Sequence, residues 1–263
     1  MATWPAMTSP GRYGRVRSAD GTTIEFERSG HGPPVILVEA ALHYRGFTSF
    51  GGLAPLLAEQ LTVVAYDRRG RGESGDTAPY DPDREVEDLA ALVEAAGGSA
   101  GVYGYSSGAL LAMRAAAQGV PIERLALMEP PLQEEGDEGF TTELAALAAE
   151  GRNGDMVERF HRAIGVPDEF VTGMRAAPEW AAMESVAPTL VYDCTISDTM
   201  TPALLQAVEE PTLVLDSLGS SDDLAGWAAS VAARLPNATH RSLAGEWHTV
   251  PDETLAPVLL EFF

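Results

Sequence analysis

The segment Gly104-Tyr105-Ser106-Ser107-Gly108 has the residue types and the spacing that covalent catalysis by a serine requires. A serine at the end of a strand, on a sharp turn into a helix, is held in a strained backbone conformation that presents its hydroxyl above the sheet. Glycines two residues before and after it avoid collisions with the neighbouring strand and helix. A plain Gly/Ser turn would have the same letters, so the flanking elements decide between the two interpretations.

Those flanking elements favour the catalytic interpretation. The apolar run from Ala100 to Tyr103 predicts a short buried strand, and the alanine- and leucine-rich run from Ala109 to Gln118 predicts a helix. A helix that begins at the serine directs its free amides and the positive end of its dipole toward negative charge that develops there. We therefore predict that Ser106 is a nucleophile.

The chain around this segment alternates strands and helices. Amphipathic runs such as Asp83 to Ala96 separate short apolar runs, which is typical of an α/β fold with a parallel sheet covered by helices on both faces. Residues 12–28 add a predicted hairpin with its turn at Asp20-Gly21. The predicted strands after the hairpin are 35–38, 61–66, 100–103, 124–129, 211–216 and 239–243.

Residues 132–200 interrupt the alternation with helical patterns only. We predict a core formed by residues 1–131 and 201–263, with residues 132–200 as an inserted helical cap. Most large apolar side chains of the cap are expected in its own core, while some would face a pocket for a small apolar or aromatic substrate. These side chains are Phe140, Phe160, Phe170, Met174, Trp180, Met183 and Tyr192.

The composition excludes several classes of function. The formal net charge is −22, which is unfavourable for binding nucleic acid or an anionic membrane. All 17 basic residues are arginine, and the lack of lysine excludes a lysine Schiff base and a P-loop. The single cysteine, Cys194, predicts a reducing, cytoplasmic setting. Met1 to Val16 show no signal-peptide pattern, and we expect a small-molecule substrate and a monomer or homodimer.

Three features make the sequence resemble the α/β-hydrolase family over nearly its whole length. In chain order they are Asp67-x-Arg-Gly-x-Gly-x-Ser after a strand, the Gly104–Gly108 turn after the next strand, and Gly245-x-x-His248 near the C-terminus. The resemblance implies a mostly parallel eight-stranded sheet flanked by helices and an optional helical cap after the sixth strand. It also implies a catalytic triad in the chain order nucleophile, acid, histidine.

The resemblance implies that His248 is the base that accepts the proton of Ser106, since a serine hydroxyl is a poor nucleophile at neutral pH. Surface or packing roles are expected for the other histidines, although His43 or His161 could still contact the substrate. These four are His31, His43, His161 and His240.

The acid of the triad is open between two residues. Asp222 lies in the loop after the seventh strand, where the family most often carries it, and Glu129 ends the sixth strand, where some members carry it. We favour Glu129 because a carboxylate at the tip of a buried strand is costly without a partner, and an imidazole would supply one.

The family also implies an oxyanion hole made of two backbone amides, here those of Ser107 and Ala41. Glu39-Ala40 replaces the usual His-Gly pair of the loop. A backbone donor needs no particular side chain, so the hole can survive this change. The Glu39 carboxylate would either lie near a developing anion or form an ion pair with Arg45 or Arg68.

These assignments predict a cofactor-free serine hydrolase that cleaves an ester-like bond (a carboxylic ester, lactone or thioester) of a small apolar substrate through an acyl-enzyme. A serine rather than an aspartate at position 106 argues against dehalogenase or epoxide-hydrolase chemistry, and no cluster has metal-ligand spacing. Two alternatives stay open: a non-hydrolytic natural-product tailoring enzyme (a cyclase or acyltransferase), favoured only by Glu39-Ala40, and a non-catalytic ligand-binding member.

Overall fold

The computed structural model of the protein describes residues 11–132 and 138–263. Within them the strands are β1 Arg12–Arg17, β2 Thr23–Gly30, β3 Pro34–Val38, β4 Thr62–Tyr66, β5 Ala100–Tyr105, β6 Ile122–Met128, β7 Thr212–Ser217 and β8 Ala238–Leu243. They form one sheet in the order β1-β2-β4-β3-β5-β6-β7-β8. β2 is antiparallel to β1 and β4, and the other adjacent pairs are parallel. The predicted mostly parallel eight-stranded sheet is confirmed.

Helices cover both faces of this sheet. None of the described helices is both long enough and apolar enough to cross a membrane. They are α1 Leu53–Leu57, α2 Pro82–Ala96, α3 Ser107–Ala117, α4 Glu138–Ala149, α5 Asn153–Ala163, α6 Asp168–Met174, α7 Trp180–Val186, a 3₁₀ turn at Ala187–Thr189, α8 Leu190–Asp198, α9 Pro202–Gln206, α10 Asp222–Arg234 and α11 Asp252–Phe262.

The central strands are apolar on both faces because helices cover both. Alternate residues of β3 and β5 enter different clusters: Ile36 and Val102 pack with α2 and α3, while Leu37 and Tyr103 pack with α1 and α11. The hairpin predicted at residues 12–28 is β1 and β2. α1 begins only at Leu53, in keeping with the low helix propensity of Gly51-Gly52.

Between β6 and β7 the described part of the chain contains helices and no strand. We call α4 to α8 and the 3₁₀ turn among them the insertion. α8 packs against α3, whereas α9 packs against α3 and α10 of the core. Residues 133–137, at the start of the predicted cap, lie outside the described residues, as do residues 1–10.

The register of the sheet brings several strand ends together at one edge. Tyr105 pairs with Met128 at the ends of β5 and β6, so the residues that follow them, Ser106 and Glu129, leave the sheet side by side. Since the carboxyl ends of parallel strands meet at the same edge, this is where an open α/β sheet holds its ligands.

Candidate active site

Ser106 lies on a tight turn between β5 and α3, as predicted. Its φ of 53° is in the left-handed region, and its amide donates to the Met128 carbonyl at 2.9 Å. The turn needs both glycines: a Cβ on Gly104 would lie 2.6 Å from the Ala109 Cα, and one on Gly108 would lie 2.3 Å from the Val38 oxygen. This turn (Gly104–Gly108), which we call the elbow, is therefore packed closely against β3 and α3.

His248 is held in a second tight turn. Glu246 and Thr249 exchange backbone hydrogen bonds of 3.0 and 3.2 Å around it, and its φ is 54°. Its carbonyl accepts a hydrogen bond from the Tyr105 hydroxyl, and its ring centroid is 5.1 Å from that of Tyr105. Because Tyr105 directly precedes Ser106, these contacts place the imidazole beside the elbow.

Glu129 is the carboxylate that the structure places against His248. Its Oε2 lies 2.5 Å from Nδ1 of the imidazole, and its side chain is fully buried. Its Oε1 accepts from the Ser217 amide at 2.7 Å and from the Ser220 hydroxyl at 2.6 Å. Ser220 Oγ also accepts from the His248 amide at 2.9 Å, so one serine supports both members of the pair.

The charge of Glu129 follows from these donors. Burial raises the pKa of its carboxyl, but the hydrogen bonds from His248, the Ser217 amide and Ser220 outweigh burial and leave the pKa below its ordinary value. An ionised carboxylate is only an acceptor, so Nδ1 of His248 carries the proton. Nε2 of the neutral ring is then the nitrogen with a lone pair, which a base needs.

Backbone strain is concentrated at this edge. Among the described residues, four that are not glycine have a positive φ: Leu42, Ser106, Glu129 and His248. Each such residue costs on the order of 1–3 kcal/mol and persists only where its surroundings enforce it. Three of them are the residues predicted as nucleophile, acid and base, and Leu42 lies in the loop after β3 that is predicted to supply an oxyanion donor (residues 39–42, called the oxyanion loop below).

Asp222, the other candidate acid, is exposed in the first turn of α10, where Ser221 caps the helix by accepting from the Leu224 amide. Nearby Asp216 accepts from His240 at 2.8 Å and from Ser242 at 2.8 Å. The structure therefore brings Glu129, and neither of these two aspartates, into contact with the His248 imidazole.

The remaining histidines do not share the position of His248. His31 and His240 are exposed. Nδ1 of His43 lies 2.8 Å from the Ala41 carbonyl, and Nδ1 of His161 lies 2.7 Å from the Val157 carbonyl. Burial lowers the pKa of His43 to about 4 and also lowers that of His161, which favours neutral rings at both positions.

The two residues assigned to the oxyanion hole lie at the expected positions in the fold. Ala41 is buried in the loop after β3, and Ser107 begins α3. Gly108 brings the start of α3 close to the ends of β3 and its loop, since a Cβ on it would lie 2.6 Å from the Glu39 oxygen. The two backbone amides therefore belong to segments in contact.

Glu39 forms neither of the ion pairs expected for it. Its Oε1 accepts from the Thr48 hydroxyl and from the Ser49 amide, and its Oε2 is buried without a hydrogen-bond partner. Arg45 instead pairs with Asp67 at 2.9 Å. The contact of Arg68 with Glu39 is to the backbone carbonyl, at 3.3 Å, and not to the carboxylate. Burial raises the pKa of the Glu39 carboxyl to about 7.

A buried ion network that the sequence does not predict lies beside the two segments that carry these amides. Arg71 and Arg68 both pair with Asp193 of α8, at 2.6 and 2.7 Å, and Asp193 also accepts from the Ser107 hydroxyl at 2.8 Å. Arg68 further pairs with Glu85 at 2.7 Å. The available signal was the density of arginines at positions 68–71, next to a strand end.

The apolar side chains of the predicted cap have three different surroundings. One cluster joins Trp180 and Met183 to Ala41 and Leu42 of the oxyanion loop. Phe170, by contrast, is 65% exposed. Phe140, Phe160 and Met174 pack at the edge of the cluster, and Tyr192 stacks on Tyr80 at 3.8 Å.

No group of three or more metal-ligating side chains occurs within residues 11–132 and 138–263. The chemistry that the side chains of Ser106, His248 and Glu129 can support is proton transfer and nucleophilic attack.

Known proteins share this architecture and, in part, this sequence. The model of the alpha/beta hydrolase family matches residues 31–258. Over 158 residues the chain is 34% identical to N-formylmaleamate deformylase of Pseudomonas putida, a match that spans 54% of this chain and 57% of the deformylase. The crystal structure of an alpha/beta hydrolase from Sphaerobacter thermophilus is 47% identical, with a TM-score of 0.88 over 95% of this chain and 100% of that chain. A hydrolase structure from Pseudomonas aeruginosa PA01 is 20% identical, with a TM-score of 0.75 over 97% and 99% of the two chains, and is similar in fold.

Proposed function

Because the chain belongs to the alpha/beta hydrolase family, we propose that it is a serine hydrolase that cleaves an ester-like bond of a small apolar substrate through an acyl-enzyme. The observation that carries the proposal is the 2.5 Å contact between the buried Glu129 carboxylate and Nδ1 of His248, next to the strained Ser106 turn. This contact leaves Nε2 of His248 available as a base.

In the proposed acylation step, the Ser106 oxygen attacks the acyl carbonyl while His248 accepts the hydroxyl proton at Nε2. The carbonyl π bond becomes a lone pair on oxygen, and the Ala41 and Ser107 amides donate to that oxyanion. The negative charge of Glu129 stabilises the imidazolium that forms. When the carbonyl forms again, the alcohol leaves with the proton from His248.

In the proposed deacylation step, water takes the place of the alcohol. His248 accepts a proton from the water, whose oxygen attacks the acyl carbon of the Ser106 ester. The second tetrahedral intermediate is stabilised by the same two amides. Its collapse releases the acid and returns the proton to Ser106, so both steps balance without a cofactor.

We further propose that the insertion is a cap over this site. The support is the apolar cluster that contains both Trp180 and Met183 of the insertion and Ala41 and Leu42 of the core. An apolar roof beside the oxyanion loop would bind the hydrophobic part of a substrate and exclude water. An apolar or aromatic acyl group is therefore the expected preference.

The first test is mass spectrometry after reaction with a fluorophosphonate, which transfers its phosphonyl group to an activated serine and releases fluoride. We expect one adduct, on Ser106, in the wild type. The Ser106→Ala and His248→Ala variants should show no adduct, and Ser107→Ala should still be labelled. A folded wild-type protein that stays unlabelled would overturn the proposal.

The deformylase similarity supports a second candidate bond, the amide of an N-formyl compound. The same triad can attack a formyl carbonyl, and His248 would then protonate the departing nitrogen. Parallel assays of p-nitrophenyl esters and of N-formyl amides, the latter followed by formate release, distinguish the two. Formate release faster than ester hydrolysis would replace the ester assignment, and both activities should disappear in Ser106→Ala.

A further inference from the structure

The peptide group between Ala40 and Ala41 connects the proposed oxyanion hole to a buried arginine. It carries the Ala41 N–H at one side and the Ala40 carbonyl at the other, and Arg71 Nη1 donates to that carbonyl at 2.6 Å. A trans peptide is planar, with its C=O and N–H pointing in opposite directions. The bond to Arg71 therefore fixes the direction in which the Ala41 N–H points, away from the guanidinium.

The same bond strengthens the donor. Hydrogen bonds in series polarise one another, and a charged donor on the carbonyl has a larger effect than a neutral one. Arg71 thus orients the Ala41 N–H and makes it a better donor to an oxyanion. A second bond from Nη1 to the His43 carbonyl, at 3.1 Å, holds the far side of the loop around the strained Leu42.

Asp193 holds Arg71 in this position and also contacts the other oxyanion donor. Its Oδ2 pairs with Arg71 Nη2 at 2.6 Å, and its Oδ1 accepts from the Ser107 hydroxyl at 2.8 Å. The Ser107 amide is the second donor of the proposed hole. One carboxylate therefore connects the two segments whose spacing determines whether both amides reach the same oxygen.

Burial makes this network rigid and gives it a defined charge. Arg68 and Arg71 are each 1% exposed at their side chains, and Asp193 is 3% exposed. Burial raises the pKa of the Asp193 carboxyl, but the charges of Arg71 and Arg68 outweigh it and keep the pKa below its ordinary value. With Glu85 on Arg68, two guanidiniums face two carboxylates. Loss of one partner would leave a buried charge unpaired.

We propose that Arg71 and Asp193 are positioning residues of the oxyanion hole. Asp193 holds Arg71 in contact with the Ala40–Ala41 peptide and binds the Ser107 hydroxyl at the start of α3. The Ala41 and Ser107 amides can then donate to the same oxygen. This inference rests on the proposed hydrolase function. Helix α8, which carries Asp193, then has two roles. It covers the site as part of the proposed cap, and its contact with Arg71 and Ser107 supports the oxyanion hole.

The chain contains a matched control for this network. Arg69 comes from the same loop and pairs with Asp88 at 2.7 Å, with both side chains as buried as those of Arg71 and Asp193. Its other hydrogen bonds go to Asp20 and to the Arg84 carbonyl, in the hairpin turn and α2. Asp88→Asn therefore removes the same charge from the same kind of pair, away from the oxyanion loop.

The test compares kcat, KM and the rate constant of fluorophosphonate labelling in the wild type, Asp193→Asn and Asp88→Asn. Both variants should lose thermal stability. We expect Asp193→Asn to lower kcat and the labelling rate by about 10- to 100-fold with KM within about threefold, because oxyanion donors act in the transition state. Asp88→Asn should keep kcat within about threefold of the wild type. Equal losses in both variants, or an unchanged kcat in Asp193→Asn, would overturn the inference.

Two charge-preserving variants serve if Asp193→Asn does not fold. Arg71→Lys keeps the positive charge but loses the fork that spans Asp193 and the Ala40 carbonyl, and we expect about tenfold lower kcat from misplacing one donor. Arg69→Lys is its control and should keep the wild-type kcat. An Arg71→Lys enzyme as fast as the wild type would overturn the inference. A wild-type protein that fails to react with the fluorophosphonate would overturn the proposed function, and this inference with it.

Discussion

Glu39 and Glu129 directly follow two parallel strands, β3 and β6, and are buried at the same edge of the sheet, yet their surroundings favour opposite charge states. The pKa of the Glu129 carboxyl lies below its ordinary value, whereas that of Glu39 is raised to about 7. Burial raises the pKa of both. Their hydrogen-bond partners differ and contribute to this opposite direction of shift.

Both oxygens of Glu129 have donors: His248 on Oε2, and the Ser217 amide and Ser220 on Oε1. In Glu39 the donors act on Oε1 alone, and Oε2 has none. Hydrogen bonds to the charged form compensate a buried carboxylate for lost hydration and so favour its ionisation. Glu129 thus carries the negative charge that the proposed mechanism requires beside His248. The raised pKa of Glu39 means that this carboxyl holds a proton more often than an ordinary one, which limits the negative charge beside the proposed oxyanion hole.

The largest expected effect is the loss of kcat when Glu129, the ionised one of the two glutamates, is replaced. Glu129→Gln keeps the shape of the side chain but removes the charge that fixes the tautomer of His248 and stabilises the imidazolium. We expect kcat for ester hydrolysis to fall by about 10³- to 10⁴-fold, with a small change in KM. Asp222→Asn is the control because Asp222 is exposed in the first turn of α10. A larger loss in Asp222→Asn than in Glu129→Gln would reverse the assignment of the acid.

The second expected effect is a change in the pH dependence of the free energy of unfolding when Glu39 is replaced. A raised pKa in the folded state means that the folded protein binds more protons, so Glu39 lowers stability as pH rises from its ordinary value of 4.5 to about 7. Glu39→Gln removes this titration. Relative to the wild type, its free energy of unfolding should rise by roughly 3 kcal/mol between pH 4.5 and pH 8.

Denaturant unfolding of both proteins at a series of pH values measures this difference. The pKa of Glu129 is shifted in the opposite direction, so its contribution is present above the ordinary carboxyl pKa and is lost as pH falls through its lowered value. The two glutamates should therefore give pH dependences of opposite sign. A constant difference between Glu39→Gln and the wild type would show that folding does not shift the pKa of Glu39.

Ser220→Ala removes one hydrogen-bond donor from Glu129 and leaves the three residues of the proposed triad unchanged. Ser220 donates to Glu129 at 2.6 Å and accepts from the His248 amide at 2.9 Å. Losing a hydrogen bond to a buried charge costs about 1.5 kcal/mol, so Ser220→Ala should lower kcat by about tenfold. Ser221→Ala is the control, since Ser221 caps α10 and should affect thermal stability alone. Equal kcat in the two variants would contradict the support role of Ser220.

The sequence predicts the fold well because the signals involved are local. Strands and helices are set by apolar periodicity within about ten residues, and the turn at Ser106 is specified by Gly104 and Gly108. The ends of adjacent parallel strands then bring Ser106 and Glu129 together without further information. The order of the elements is thus sufficient to predict which edge of the sheet carries the candidate site.

The partners of buried charges are not local and were harder to predict. Glu129 and His248 are 119 residues apart, and Arg71 and Asp193 are 122 residues apart. The sequence favours Glu129 over Asp222 only because a carboxylate at the tip of a buried strand needs a partner. Of the two alternatives for Glu39, the ion pair does not form, because Arg45 and Arg68 pair with other carboxylates that only the packing of the loop after β4 brings close.

The smallest expected effect is on the free energy of unfolding, when Glu39 loses the hydrogen bond from the Thr48 hydroxyl. Thr48 Oγ1 donates to Oε1 of Glu39 and accepts from the Phe50 amide at 2.9 Å. Thr48→Val loses both bonds, but only the first one depends on the charge of Glu39. A donor stabilises the ionised carboxylate more than the neutral acid, so the loss of stability should be larger at pH 8 than at pH 5 by about 1 kcal/mol. If Thr48→Val destabilises the protein equally at both pH values, the charge of Glu39 does not change between them, and the contrast with Glu129 fails.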